Sequence, residues 1–193
     1  MEKTTYSCDE MGIDTYSQYL SISECDELFK KIMSNPRHFK HATLTKKGIV
    51  SKKRNKTIYG SLPTYRYEYL GRIVETRIHN WELFPELEKL AQRIEGTTGQ
   101  HYNTCVIQIY NSGVVEIKPH RDKEMKKDSI IASISLGETR AMRFERRGYD
   151  TLDISLESGT LCLINPPTNE HWLHSIPADD SVGVRISLVF RNF

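Results

Sequence analysis

Six short segments of β type follow one another in the second half of the sequence, and this series restricts the possible folds more than any other feature. Each segment is rich in aliphatic or β-branched residues, and residues typical of turns separate the segments. The segments are Asn103–Tyr110, Ile130–Leu136, Ala141–Arg146, Thr151–Leu156, Thr160–Ile164 and Val184–Phe190. Such a series predicts an all-β barrel or sandwich beyond Gln100.

Two amphipathic helices are predicted in the first hundred residues. Ser21-Ile22-Ser23-Glu24 is typical of a helix N-terminus and precedes apolar residues at helical spacing, which predicts a helix over about residues 23–33. Helical spacing returns after Pro85, and the Thr98-Gly99 turn should end this second helix.

A tyrosine-rich segment lies between the two predicted helices. Tyr65, Tyr67 and Tyr69 alternate with charged residues, so the three tyrosines share one face of a predicted strand. Just before this strand, Tyr59-Gly60 is typical of a turn.

The length of 193 residues allows one domain with a substantial core. We expect a single domain, residues 1–193, in which residues 1–100 cover the β-rich residues 101–193. No apolar stretch approaches the length of a membrane span, and the N-terminus lacks the features of a secretory signal. The sequence therefore predicts a soluble protein with no membrane association, intracellular in the nucleus or cytoplasm and not secreted. Four scattered cysteines are expected to be free buried thiols: Cys8, Cys25, Cys105 and Cys162.

Basic residues cluster in one segment, although the net charge of +2 says little about partners. Residues 46–56 contain no acidic residue and six basic ones: Lys46, Lys47, Lys52, Lys53, Arg54 and Lys56. This cluster fits a loop that faces nucleic-acid phosphates, but a solvated lysine-rich loop explains it equally well.

His120 and Asp122 form a candidate metal site. Residues two apart on an extended segment project to the same side, so this imidazole and this carboxylate can bind one ion. A third ligand would come from a distant strand, and His171 and His174 are both candidates. Two histidines and one carboxylate on one face of Fe(II) leave room for a bidentate co-substrate and dioxygen, whereas zinc favours a closed tetrahedral set.

The last predicted strand places two arginines, Arg185 and Arg191, on the face opposite Ile186, Leu188 and Phe190. An arginine inside a barrel is costly unless it meets an anion, and its planar fork matches a carboxylate. For this strand alone, the simpler alternative is an outer polar face with both arginines in water.

A second polar pair lies on the strand predicted over residues 103–110. Gln108 and Tyr110 share one face of it and could donate hydrogen bonds to the same dicarboxylate. The ordinary preference of tyrosine for strands explains Tyr110 equally well.

Taken in order, these features resemble the AlkB family of Fe(II)- and 2-oxoglutarate-dependent dioxygenases. The matching residues are Gln108-x-Tyr110, His120-x-Asp122, Ser133–Gly137, a distal His174 and Arg185-x5-Arg191. The resemblance is closest to the homologues that repair DNA in animal nuclei. The segment that carries their distal histidine is similar to Asn165–Pro177 here. Their base-recognition lid is similar to Arg54–Gly60 and Tyr67–Gly71.

The resemblance implies an α+β fold with a double-stranded β-helix (jelly-roll) core, N-terminal helices and a base-recognition lid. It implies Fe(II) as the metal, with 2-oxoglutarate and dioxygen as co-substrates. The implied metal ligands, which are also the catalytic residues, are His120, Asp122 and His174, with His171 a structural neighbour. The residues implied to bind 2-oxoglutarate are Gln108, Tyr110, Arg185, Ser187 and Arg191. Those implied to bind the substrate are Arg54, Tyr67, Tyr69, Lys123 and Glu124.

Some positions depart from the family's usual pattern. Gln108 stands where the family usually has Asn, and Ser187 and Val189 replace the Asn and Thr that are common between the two arginines. These departures concern contacts with the co-substrate and leave the implied metal ligands unchanged.

The implied activity is direct-reversal repair: oxidative demethylation of alkylated bases, 1-methyladenine and 3-methylcytosine, in DNA and by extension in RNA. The expected partner is methylated DNA or RNA, and the protein is expected to act as a monomer. One alternative is an oxygenase of the same fold that hydroxylates a protein or small molecule, which would not need the basic segment or the tyrosine face. The other is a non-enzymatic nucleic-acid binding module, which would not need three ligands and two arginines.

Overall fold

The computed structural model describes residues 1–39, 44–45, 48–49, 55–69, 72–181 and 183–193. The elements before residue 100 are β1 (Glu2–Cys8), β2 (Met11–Ser17), α1 (Ile22–Ser34), β3 (Leu44–Thr45), β4 (Gly48–Ile49), β5 (Asn55–Gly60), β6 (Thr64–Tyr69), β7 (Arg72–Arg77), β8 (His79–Asn80) and α2 (Pro85–Thr98). Those that follow are β9 (Thr104–Tyr110), β10 (Ile117–His120), β11 (Ile131–Gly137), β12 (Arg140–Glu145), β13 (Leu152–Leu156), β14 (Leu161–Asn165), α3 (Thr168–His171), β15 (Leu173–Ile176) and β16 (Arg185–Arg191).

Two sheets form the core of the molecule. The larger has the strand order β1-β2-β14-β11-β16-β9-β5-β8, and the smaller has the order β10-β15-β12-β13. Every pairing within them is antiparallel except that of β5 with β8. Two packed sheets of this kind are typical of a jelly-roll, which confirms the predicted α+β class and its double-stranded β-helix core.

Alternation along the central strands divides the apolar core into two clusters. Ile107 and Ile109 of β9 belong to the cluster that includes α1 and α2, so both helices cover the outer face of the large sheet. Val106 and Tyr110 of the same strand belong to the cluster that also contains Phe144 of the small sheet. The inner face of β9 is therefore turned toward the small sheet.

Both predicted helices are present, and local sequence explains their ends. Glu24 donates its backbone N–H to Ser21 Oγ at 3.3 Å and accepts from Ser21 N–H at 2.7 Å, which is the capping box that begins α1. Pro85 stands at the first turn of α2, and Gly99 ends that helix in the left-handed conformation with φ 70°.

Tyr59-Gly60 is not a turn, so that prediction was wrong. Both residues belong to β5, where they pair with Cys105 and Thr104 of β9. A side chain at position 60 would bring its Cβ within 2.5 Å of the Asn103 carbonyl oxygen, so the glycine allows close approach of the chain. The turn preference of the dipeptide is overridden by pairing with a strand far along the chain.

The β1–β2 hairpin was not predicted from the sequence. It extends the large sheet, since β2 pairs with β14. Its first strand ends at Cys8, which is exposed, so the expectation of a buried thiol was wrong there, whereas Cys25, Cys105 and Cys162 are buried and free. None of the described helices is long and apolar enough to cross a membrane.

Candidate active site

Three predicted ligands meet between the two sheets. His120 lies at the end of β10, His174 lies in β15, and the two residues are direct partners in the small sheet. Asp122 follows two residues after His120. Its Oδ1 lies 3.6 Å from His120 Nε2, and its Oδ2 lies 4.0 Å from His174 Nε2. One ligand atom from each residue lies within 4.8 Å of the others, so the three side chains could hold one ion.

A backbone contact fixes the orientation of the His120 ring. His120 Nδ1 lies 2.9 Å from the carbonyl oxygen of Lys118. Because a carbonyl only accepts, Nδ1 carries a hydrogen, and Nε2, on the side of Asp122, is the ring nitrogen placed to bind a metal. This is the second contact that metal-binding histidines commonly make.

The charge of Asp122 is balanced by Arg191. Burial raises the pKa of this carboxyl group. The Arg191 guanidinium, whose Nη2 lies 2.5 Å from Asp122 Oδ2, lowers it, and so does the contact with His120. Together these two contacts outweigh burial and hold the pKa well below its usual range. Asp122 is therefore ionised. Asp122 Oδ2 accepts no hydrogen bond of good geometry from the described residues, although it lies next to the Arg191 guanidinium.

His174 is held in its neutral form. Burial is the main cause and lowers its pKa to about 4, although the nearby Asp122 carboxylate acts in the opposite direction. A neutral imidazole and an ionised carboxylate are the forms that bind a metal.

Arg185 lies inside the barrel and not in water, which excludes the simpler alternative for its strand. The residue is 1% exposed, its Nη2 donates to Ser135 Oγ at 2.9 Å, and its guanidinium lies 5.1 Å from the centre of the Tyr110 ring. Its Nε and Nη1 have no hydrogen-bond partner in the part of the chain that the structure describes. Two buried donors without a partner fit an anion that accepts both, as a carboxylate does.

The remaining predicted co-substrate residues line one cavity with the three ligands. It lies between the sheets, and its wall includes Gln108, Tyr110, Ser187 and Arg191. Two serines of the matched Ser133–Gly137 were given no site role in the sequence prediction. Ser133 lines the cavity, with its Oγ 3.0 Å from Ser187 Oγ, and Ser135 Oγ accepts from Arg185. Alternation of these small polar residues with apolar ones along the strand was the signal that could have found them.

His171 is separate from the ligand cluster. Its Nδ1 lies 3.3 Å from Glu10 Oε2, and its carbonyl oxygen accepts from Arg121 Nη2 at 3.1 Å. Of the two histidines that spacing alone left open, the structure brings His174 to Asp122, and His174 is the one that the family resemblance implied.

The predicted substrate residues are described only in part. Lys123 is exposed and Glu124 half-buried, directly after Asp122 in the chain. Arg54 and the side chains of Tyr67 and Tyr69 lie outside what the structure describes. Tyr65, on the same strand, is buried, and its ring stacks on Phe193 with centroids 4.6 Å apart.

The donor set fits Fe(II) with 2-oxoglutarate. Two imidazoles and one carboxylate on one side of an ion leave open positions, and no cysteine stands among the three ligands to favour a closed zinc site. The two donors of Arg185 without a partner in the described residues offer hydrogen bonds for the far carboxylate of a dicarboxylate, and the Tyr110 ring lies beside that guanidinium.

Comparison with known proteins agrees with this site. Residues 12–191 match the 2OG-Fe(II) oxygenase superfamily, and the chain belongs to that family. It is thus an Fe(II)- and 2-oxoglutarate-dependent dioxygenase, an oxidoreductase whose co-substrates are 2-oxoglutarate and dioxygen.

Relatives identify the AlkB type within the family. The chain is 30% identical to the DNA oxidative demethylase ALKBH2 of Mus musculus, with 96% of this chain and 79% of the mouse protein aligned. It is also 30% identical to the human ALKBH2, with 93% and 73% aligned. The human alpha-ketoglutarate-dependent dioxygenase alkB homolog 3 is 27% identical, with 91% and 64% aligned.

Solved structures show the same fold at lower identity. The structure of OsALKBH1 aligns with a TM-score of 0.62 at 11% identity and covers 98% of this chain and 100% of that one. A Pseudomonas putida prolyl-4-hydroxylase aligns with a TM-score of 0.54 at 15% identity and covers 95% and 94%.

Proposed function

We propose that this dioxygenase removes methyl groups from alkylated nucleic-acid bases, with 1-methyladenine and 3-methylcytosine in DNA as substrates and RNA as a second substrate. The observation that best supports it is the meeting of His120, Asp122 and His174 beside a buried arginine, in a chain 30% identical to DNA oxidative demethylases. When bound, Fe(II) and 2-oxoglutarate supply the oxidising chemistry with dioxygen, and the oxidised methyl group leaves as formaldehyde.

The chain's own residues would bind and orient these groups. We assign Fe(II) to His120, Asp122 and His174, and the far carboxylate of 2-oxoglutarate to Arg185. Arg191 pairs with Asp122 and so would lie at the metal end of the co-substrate. The cavity wall is completed by Gln108, Tyr110 and Ser187. Because Arg185, Tyr110 and Ser187 are buried between the sheets, the co-substrate end of the site would exclude most water, and electrostatic contacts there are strong.

Substrate recognition is assigned to residues on the rim of the site. Lys123 and Glu124 directly follow the ligand Asp122, so a base bound near the metal would lie close to them. We assign the lid to the segment around Arg54 and to Tyr67 and Tyr69, where aromatic faces could stack on an extruded base. The protein would act as a monomer.

The test is demethylation of a defined oligonucleotide. A strand with one 1-methyladenine or 3-methylcytosine is incubated with Fe(II), 2-oxoglutarate and oxygen, and its nucleosides are then quantified by mass spectrometry. We expect the unmodified base and an equal amount of succinate, with neither product from Asp122→Ala. Succinate formation without demethylation of any strand would contradict the proposed substrate and would favour a dioxygenase acting on a protein or small molecule.

A further inference from the structure

Asp122 differs from its two partner ligands in how its backbone is held. His120 and His174 are paired with each other in the small sheet. Strand β10 ends at His120, and residues 121–123 belong to no strand. The sheet that fixes both imidazoles therefore does not fix the carboxylate.

One side chain takes the place of a neighbouring strand at Asp122. The backbone N–H of Asp122 donates to Asn169 Oδ1 at 2.9 Å, and Asn169 Nδ2 donates to the Asp122 carbonyl oxygen at 2.7 Å. A carboxamide has one acceptor and one donor end, so only one orientation of Asn169 satisfies both groups. The two bonds fix the position and the direction of the Asp122 backbone.

Asn169 is itself attached to the large sheet through the preceding residue. Thr168 is buried, and its hydroxyl accepts from the backbone N–H of Gly12 at 2.8 Å and donates to the Gly12 carbonyl at 3.2 Å. Gly12 belongs to β2, so Thr168 and Asn169 connect the large sheet to the end of the candidate metal site.

We propose that Asn169 is a positioning residue that holds Asp122 in place for metal binding. The carboxylate has a competing partner, since Arg191 lies 2.5 Å from its Oδ2. Without the two amide bonds, residues 121–123 could follow that attraction and move the carboxylate away from the two imidazoles. The proposal rests on Asp122 as a metal ligand, as assigned under the proposed function, and does not depend on the substrate.

Direct metal binding tests the proposal. Co(II) is titrated into the full-length protein and followed by its visible absorption, without substrate. We expect Asn169→Ala to bind Co(II) about 10-fold more weakly or worse, as for other residues that orient metal ligands. Turnover of 2-oxoglutarate by this variant should return toward wild type at high Fe(II), because the lost property is affinity.

Asn165→Ala is the matched control. Asn165 lies in the same segment, and its Nδ2 donates to Asp14 Oδ2 at 3.0 Å, away from the metal ligands. Its Co(II) affinity should equal that of wild type. The proposal is overturned if folded Asn169→Ala binds Co(II) normally, or if both variants lose affinity equally.

A second variant covers the case in which Asn169→Ala does not fold. Asn169→Asp keeps the acceptor for the Asp122 N–H but places a carboxylate oxygen against the Asp122 carbonyl. If Asn169 positions Asp122, the Asn169→Asp variant should bind Co(II) more weakly than wild type, whereas the added negative charge alone should make binding tighter. A Co(II) affinity equal to or tighter than that of wild type overturns the proposal. Asp122→Ala distinguishes failure of this proposal from failure of the ligand assignment. Normal Co(II) binding by that variant would show that Asp122 is not a metal ligand.

Discussion

Arg185 permits a test in which activity and stability should change in opposite directions. The residue is 1% exposed, and Ser135 accepts one hydrogen bond from it while Nε and Nη1 have no hydrogen-bond partner among the described residues. Burial lowers its pKa, although an arginine remains charged at any ordinary pH. If the missing partner is 2-oxoglutarate, Arg185 destabilises the protein without co-substrate and binds the co-substrate strongly.

The size of both effects can be worked out for two replacements. Arg185→Lys keeps a charge but loses the bidentate fork, which should cost about 1.5–3 kcal/mol, the value of one charge-assisted hydrogen bond. That corresponds to a KM for 2-oxoglutarate raised by about 10- to 150-fold. Arg185→Met removes both bonds and should raise it further. Because the effective cost of burying an ion is several kcal/mol, the methionine variant without co-substrate should be at least as stable as wild type.

Two measurements check this reasoning. Succinate formation at varied 2-oxoglutarate gives the KM, and urea unfolding without co-substrate gives the free energy of unfolding. An unchanged KM in Arg185→Lys would show that Arg185 does not bind 2-oxoglutarate. A clear loss of stability in Arg185→Met would show that the guanidinium has a structural role, with its contacts to Ser135 and Tyr110 sufficient to hold it.

The two histidines near the site, the buried Arg140 and the lysine-rich segment each allow a further test. His174→Ala should abolish succinate formation because two remaining ligands cannot hold the metal, whereas His171→Ala should keep most of it; the reverse result would reassign the ligand. Asp179 Oδ2 lies 2.6 Å from Nε of the buried Arg140, whose other hydrogen-bond acceptors are backbone carbonyls. Asp179→Ala removes this carboxylate and should lower the free energy of unfolding, measured in urea, by about 1–3 kcal/mol. An unchanged free energy of unfolding would mean that the carbonyls alone satisfy Arg140. The loop expected from about Thr43 to Arg54 has aliphatic and no aromatic residues, and an aliphatic side chain replaces the stacking of an extruded base less well than an aromatic ring. A methylated oligonucleotide should therefore be repaired at least as well single-stranded as annealed at matched salt, and a clear preference for the annealed form would contradict this.

The parts of the fold that could be predicted depend on neighbouring residues. A capping box is complete within four residues, and alternation along β16 separates Ile186 and Leu188 from Arg185 without knowledge of any other strand. The same locality allowed His120 and Asp122 to be paired as candidate ligands. Spacing alone left His171 and His174 open, and only the resemblance to the AlkB family selected His174. The register of β10 with β15, which no local pattern contains, pairs that residue with His120.

The parts that could not be predicted depend on contacts between distant segments. Thr168 and Gly12 are 156 residues apart, and Asn169 and Asp122 are 47 apart. An asparagine after a threonine is typical of a loop or helix end, and nothing in its surroundings indicates which backbone its amide will meet. Arg140 was missed for the same reason, since its acceptors lie on two other loops.

The two faces of the central strands have different physical roles, and this explains how the barrel can bury several charges. On the outer face, Ile107, Ile109 and Leu188 are almost completely buried against the helices. Each fully buried side chain of this kind contributes about 1.5–3 kcal/mol, which offsets the cost of the polar inner face. That inner face carries Arg185 and Arg191, and Arg191 pairs with the buried Asp122; these charges are costly to bury without bound ligands. Substitutions on the outer face should therefore reduce stability first, whereas those on the inner face should reduce metal or co-substrate binding while the fold remains.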